Sequence, residues 1–173
     1  MTPSNDFSLK ALYDALDAQR QARGLSWPQV MREMQGSKRT SIPTRRLSRS
    51  TVTGTRVRRV AEGDGVLAML RWLNRSPESF VQGHHQSEGA GERLPDVPAG
   101  KVLRFDAKKI YAALDARRIE LAMTWPAVAK EIGASASGLK YLAKGKRVGI
   151  PGVMRIFRWL DQPAAAFTRA ADI

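Results

Sequence analysis

Apolar side chains fall at Leu9, Leu12, Tyr13 and Leu16, and again at Ala107, Ile110, Tyr111 and Leu114. The i, i+3, i+4, i+7 spacing predicts an amphipathic helix at each place. Ser8 and Asp106 stand where an N-cap would accept the first free amides, and Gly24 offers a stop. A second helix is expected at once, because Ser26-Trp27-Pro28-Gln29 fits a capping box with proline in the first turn and Thr124-Trp125-Pro126 repeats its start. Trp27 and Trp125 are expected to be buried anchors that seal these junctions, in preference to phosphate donors through the indole N–H. Further on, a helix should end at Gly133, and a turn of small residues should lead to a short helix carrying Leu139 and Leu142 and stopped by Gly145. The last helix should begin near Pro151 and bury Val153, Ile156, Phe157 and Leu160. No stretch alternates with period two over a useful length. The pattern therefore predicts an all-α fold, two tandem small bundles of about five helices each.

The two bundles follow from a duplication. A shift of 98 positions lays Phe7–Met34 over Phe105–Ile132, and Phe7, Tyr13, Leu16, Asp17, Arg20, Trp27, Pro28, Val30 and Glu33 all recur. A shift of 87 lays Val66–Phe80 over Val153–Phe167. The first copy thus carries 11 extra residues between its matched blocks. Residues 1–82 read as a first domain with a basic insertion at 35–56, and residues 105–173 as a second. Between them, residues 83–104 are rich in Gly, Pro and polar side chains and read as a linker, flexible enough to reach roughly 70 Å when extended. The third helix of the first copy is expected at Thr55 to Glu62, with Val57, Val60 and Gly63 answering Leu139, Leu142 and Gly145.

Charge narrows the function. The chain has 173 residues with 29 Lys+Arg against 16 Asp+Glu, a formal net charge of +13. The excess lies in the repeats, at +7 for residues 1–82 and +8 for 101–173, while residues 83–100 carry −2. A folding sequence this basic points to a polyanionic partner. No cysteine is present, which removes disulfides, thiol nucleophiles and cysteine-based zinc sites. His84–His85 lack further ligands and read as loop residues, so no metal or other cofactor is expected. The apolar runs are too short for a membrane span, and the opening MTPSNDFSLK lacks the order of a signal peptide. These readings place the protein in the cytoplasm, at the nucleoid, with no membrane partner. Neither paired carboxylates in an apolar setting, a nucleophile elbow nor a Gly-rich phosphate loop is found, so no enzyme is expected.

Residues 106–161 resemble a complete member of the Cro and phage-repressor-like (XRE) helix-turn-helix family. The likeness is carried by Met123-Thr124-Trp125-Pro126-Ala127-Val128-Ala129-Lys130-Glu131-Ile132-Gly133 and by Ala134-Ser135-Ala136-Ser137-Gly138-Leu139-Lys140-Tyr141-Leu142-Ala143-Lys144-Gly145-Lys146. Ala129, Gly133 and Leu139 fit the small and apolar slots of the motif. Trp125 stands where the family often has a phosphate-contacting glutamine. The resemblance implies a lambda-repressor-like fold and binding of double-stranded DNA, with the second motif helix in the major groove.

On that reading, Ser135, Ala136, Ser137, Gly138, Lys140 and Tyr141 face bases or nearby phosphates, and Lys144, Lys146 and Arg147 hold the backbone. In the first repeat Arg45, Arg46, Arg49, Thr55, Arg56, Arg58 and Arg59 are the candidates, within a stretch from Gly36 to Val60 that has eight basic residues and no acidic one. The expected role is transcriptional regulation at an asymmetric site. A second copy of the chain is a further candidate partner, and no small-molecule ligand is evident. A non-specific nucleoid-coating protein and a protein-interaction module on the same fold are the alternatives.

Overall fold

The computed structural model describes residues 6–35, 62–82, 91–146 and 149–172. Among them are seven α-helices: α1 (Leu9–Ala22), α2 (Trp27–Gln35), α3 (Gly63–Leu73), α4 (Ala107–Glu120), α5 (Trp125–Ile132), α6 (Ala136–Tyr141) and α7 (Ile150–Leu160). Short 3-10 turns occupy Pro77–Phe80, Leu142–Lys144 and Ala164–Phe167. Two strands, β1 (Lys101–Phe105) and β2 (Thr168–Asp172), pair antiparallel with Lys101 opposite Asp172 and Phe105 opposite Thr168.

The helix starts are those the sequence marks. Ser8 accepts from the Ala11 amide at 3.1 Å, Asp106 from Lys109 at 3.1 Å and Thr124 from Ala127 at 3.4 Å. At Ser26 the reciprocal half of the capping box forms, with the Ser26 amide donating to Gln29 Oε1 at 2.7 Å. Leu9, Leu12 and Leu16 are buried along α1, as Ala107, Ile110 and Leu114 are along α4. Ile150, Val153, Met154, Ile156, Phe157 and Leu160 line the buried stripe of α7. Each fully buried side chain of this size contributes about 1.5–3 kcal/mol.

The small sheet corrects the all-α expectation: the protein is mostly helical with a two-stranded ribbon. Lys101–Phe105, expected as the end of the linker and the start of the second repeat, is a strand. Only Leu103 and Phe105 of β1 and Ala171 of β2 are buried. Five residues with so few apolar positions give no readable alternation, and the ribbon exists because the second repeat brings its two ends together. Leu94, within the same expected linker, is buried in the core. Gly63 also departs from expectation. It is the first residue of α3 and answers Ile150, not the loop glycine Gly145, while Glu62 is extended and not helical. The rest of the expected third helix, with Val57 and Val60, lies outside the described residues.

The duplication extends to individual hydrogen bonds. Arg20 donates to Asp17 and to the Leu25 carbonyl at 2.8 and 3.0 Å; Arg118 donates to Asp115 and to the Met123 carbonyl at 2.9 and 3.0 Å. The Trp72 indole N–H donates to Glu33 at 2.8 Å, and that of Trp159 to Glu131 at 2.7 Å. Asn74 and Asp161 both close their helices in the left-handed region, at φ 54°. The Ser8 amide donates to the Phe80 carbonyl, and the Asp106 amide to that of Phe167, each at 2.8 Å.

The repeats share one core. Leu12, Leu67 and Leu70 of the first and Leu103, Ile110 and Phe157 of the second belong to a single buried cluster, with α3 lying against β1. Arg104 Nε sits 3.5 Å from Asp64 Oδ2, and Arg155 Nε sits 3.7 Å from Asp6 Oδ1. The Ala164 amide donates to Glu78 Oε1 at 2.7 Å, and Glu62 forms an isolated antiparallel bridge with Gly149.

Candidate nucleic-acid interface

Helices α5 and α6 of the second repeat meet through the tight turn Gly133-Ala134-Ser135. Gly133 closes α5 at φ 73°, in the region that favours glycine. A Cβ there would come within 3.1 Å of the Arg155 guanidinium, whose NH1 donates to the Gly133 carbonyl at 2.9 Å. Val128, Ala129 and Ile132 of α5 and Leu139 of α6 face inward. Leu142, in the 3-10 turn that continues α6, is buried with them, and Gly145 ends the segment at φ 66°. A chain with its apolar positions so spaced must turn the residues between them outward.

Those outward residues are the expected ones. Ser135, Ser137, Gly138, Lys140, Tyr141, Lys144 and Lys146 are exposed, and Ala136 is half-buried. Ser135 is committed to structure: its Oγ caps α6 by accepting from the Gly138 amide at 3.0 Å. Gly138 is fitted to that cap, since a Cβ would stand 2.8 Å from Ser135 Oγ. Ser137 Oγ lies 3.4 Å from Ser135 Oγ and is otherwise turned to solvent. The Tyr141 ring is 48% exposed, with Lys144 Nζ at 5.0 Å and Lys146 Nζ at 4.9 Å from its centroid. The ring thereby holds two ammonium groups side by side at the end of α6. Among the described residues no carboxylate pairs with Lys140, Lys144 or Lys146, whereas Lys101 and Lys10 each have an acidic partner. The result is a compact cationic surface beside a close-turning backbone.

Arg147 and the first-repeat candidates Arg45, Arg46, Arg49, Thr55, Arg56, Arg58 and Arg59 lie outside the described residues, as do His84 and His85. Two residues that sequence reasoning did not single out support the surface. Arg155 holds the turn from α7, and the Lys108 side chain from α4 passes 3.5 Å from where a Gly145 Cβ would be. Both are remote in sequence from the groups they meet, so no local spacing signals them.

The tryptophans are a partial correction. Trp27 and Trp125 are half-buried, not enclosed. Trp27 stacks on Tyr13 at 5.7 Å with the Arg20 guanidinium 5.2 Å from its centroid, and Trp125 stacks on Tyr111 at 5.2 Å with Arg118 at 5.1 Å. Each sits at a helix start on the rim, where an aromatic can pack on a neighbour while an edge stays wet.

No family model, curated protein or solved structure matches the chain. Among the described residues no helix is long and apolar enough to cross a membrane, and no group of three or more metal-ligating side chains gathers.

Proposed function

We propose that the protein binds double-stranded DNA through the turn and short helix of its second repeat, as a sequence-specific regulator that acts by occupying its site. The observation that carries this is the exposed cationic row of Lys140, Lys144 and Lys146 around Tyr141, without carboxylate partners among the described residues. It lies directly beyond a glycine turn that lets backbone approach a groove. Ser137 and Lys140 lie on the exposed side of α6 and are suited to base edges; Lys144 and Lys146 are suited to phosphates, which position the protein but do not specify sequence. The net charge of +13 supports the same partner. The protein would then reside at the nucleoid and carry out no chemistry.

The test is a pair of binding curves, one on a duplex selected from a random pool and one on unselected duplex. Joint Ser137→Ala and Lys140→Ala substitution is expected to weaken the first far more than the second. Engagement of about eight phosphates gives a slope of log affinity on log salt near −7. Equal losses on both duplexes would reduce the protein to a non-specific coat, and a salt slope shallower than about −2 would deny that the first repeat adds phosphate contacts to those of the second.

A further inference from the structure

Three contacts between the repeats join corresponding segments of each. Glu62 and Gly149 are equivalent under the 87-residue shift, each immediately preceding its repeat's last helix, and they bridge each other antiparallel. An antiparallel pairing of a position with its own counterpart is what a local two-fold axis through the bridge produces. The 3-10 turns Pro77–Phe80 and Ala164–Phe167 are likewise equivalent, and they meet through Glu78 Oε1 and the Ala164 amide at 2.7 Å. Positions 6 and 104 correspond under the 98-residue shift, and each reaches the last helix of the other repeat. Arg104 meets Asp64 at the start of α3, and Asp6 meets Arg155 in α7, with the signs of charge exchanged. A head-to-tail arrangement would instead pair one patch with a different patch, and none of these three contacts has that form.

We infer that one chain is an internal two-fold pseudo-dimer, and that its DNA target is therefore two half-sites in inverted orientation at one fixed spacing, bound without a second chain. This rests on the DNA-binding reading above and extends it. The half-sites are inverted because the axis that relates α1, α2 and α3 to α4, α5 and α7 sets α2 and α5 in opposite senses along a duplex. The spacing is fixed because the repeats share a buried core, so the segment between them is not a tether that can stretch. The half-sites still differ in sequence, since the side chains of the two repeats differ. Arg155 ties the two levels together, one guanidinium holding the Gly133 turn and facing Asp6 of the other repeat.

The experiment selects duplexes from a random pool with the full chain, then measures the stoichiometry of the complex by native mass spectrometry and the affinity of spacing variants. Two inverted half-sites, one chain per duplex, and a loss of about 100-fold or more on inserting either 5 or 10 base pairs between the halves are expected. Retained affinity on the 10-base-pair insertion, direct repeats, or two chains per site would overturn the inference while leaving DNA binding intact. A pool with no enriched motif would overturn the sequence-specific reading and the inference with it.

Discussion

Glu33 shows how a single side chain couples elements distant in sequence. Its carboxylate accepts from both Arg23 NH groups, at 2.7 and 2.9 Å, and from the Trp72 indole at 2.8 Å. The Arg23 hydrogen bonds, followed by that of Trp72, hold its carboxyl below the ordinary glutamate value of 4.5. A carboxyl whose pKa is depressed on folding adds stability that is present above the unfolded value and disappears as pH falls through the folded one. Glu33→Gln is therefore expected to destabilise at pH 7 and to flatten the acid limb of the stability curve below about pH 4.5. Urea midpoints taken across that range check both points, and an unchanged acid limb would deny Glu33 this role.

At the scale of the element, α6 is short. Six residues of helix cannot hold themselves together by propensity, so its cap and its apolar contacts matter more than in a longer helix. Ser135→Ala is expected to cost about 1 kcal/mol, read from the unfolding midpoint. Gly138→Ala has two opposed effects, a gain in helix propensity of about 1 kcal/mol and a collision with the capping hydroxyl. It should therefore be close to neutral or unfavourable in the natural chain and stabilising by about 1 kcal/mol once Ser135 is alanine. Additive behaviour of the two substitutions would show that the cap does not govern this helix.

For the whole molecule, the consequence of a shared core is cooperativity. The ion pairs between the repeats are partly exposed, and such pairs contribute about 0–1 kcal/mol each. They set register; the buried cluster supplies the coupling. The repeats are expected to unfold in one transition. Two tryptophans belong to each repeat, Trp27 and Trp72 in the first, Trp125 and Trp159 in the second, so fluorescence can follow either separately. Retaining one tryptophan per variant, with Phe in the other three places, should yield coincident urea curves from both repeats. Separate midpoints would mean that the core is divided.

Helix starts, caps and buried stripes were legible in the sequence because each depends on residues within a turn or two: Ser8 and Asp106 on the next amides, Gly133 on its own φ, Leu139 and Leu142 on the period of a helix. The duplication was legible too, down to Glu33 and Glu131, and so was the cationic composition of the candidate interface. The ribbon of β1 and β2, the burial of Leu94, the support of the turn by Arg155 and the mutual pairing of Glu62 with Gly149 were not. Each of these joins segments far apart in the chain, and no local period records where a distant partner will arrive. Sequence alone thus determined that there are two like units and that each is rich in basic residues. Only the tertiary structure decided that they form one body about a local two-fold, because that relation lies in the packing between the units and not within either of them.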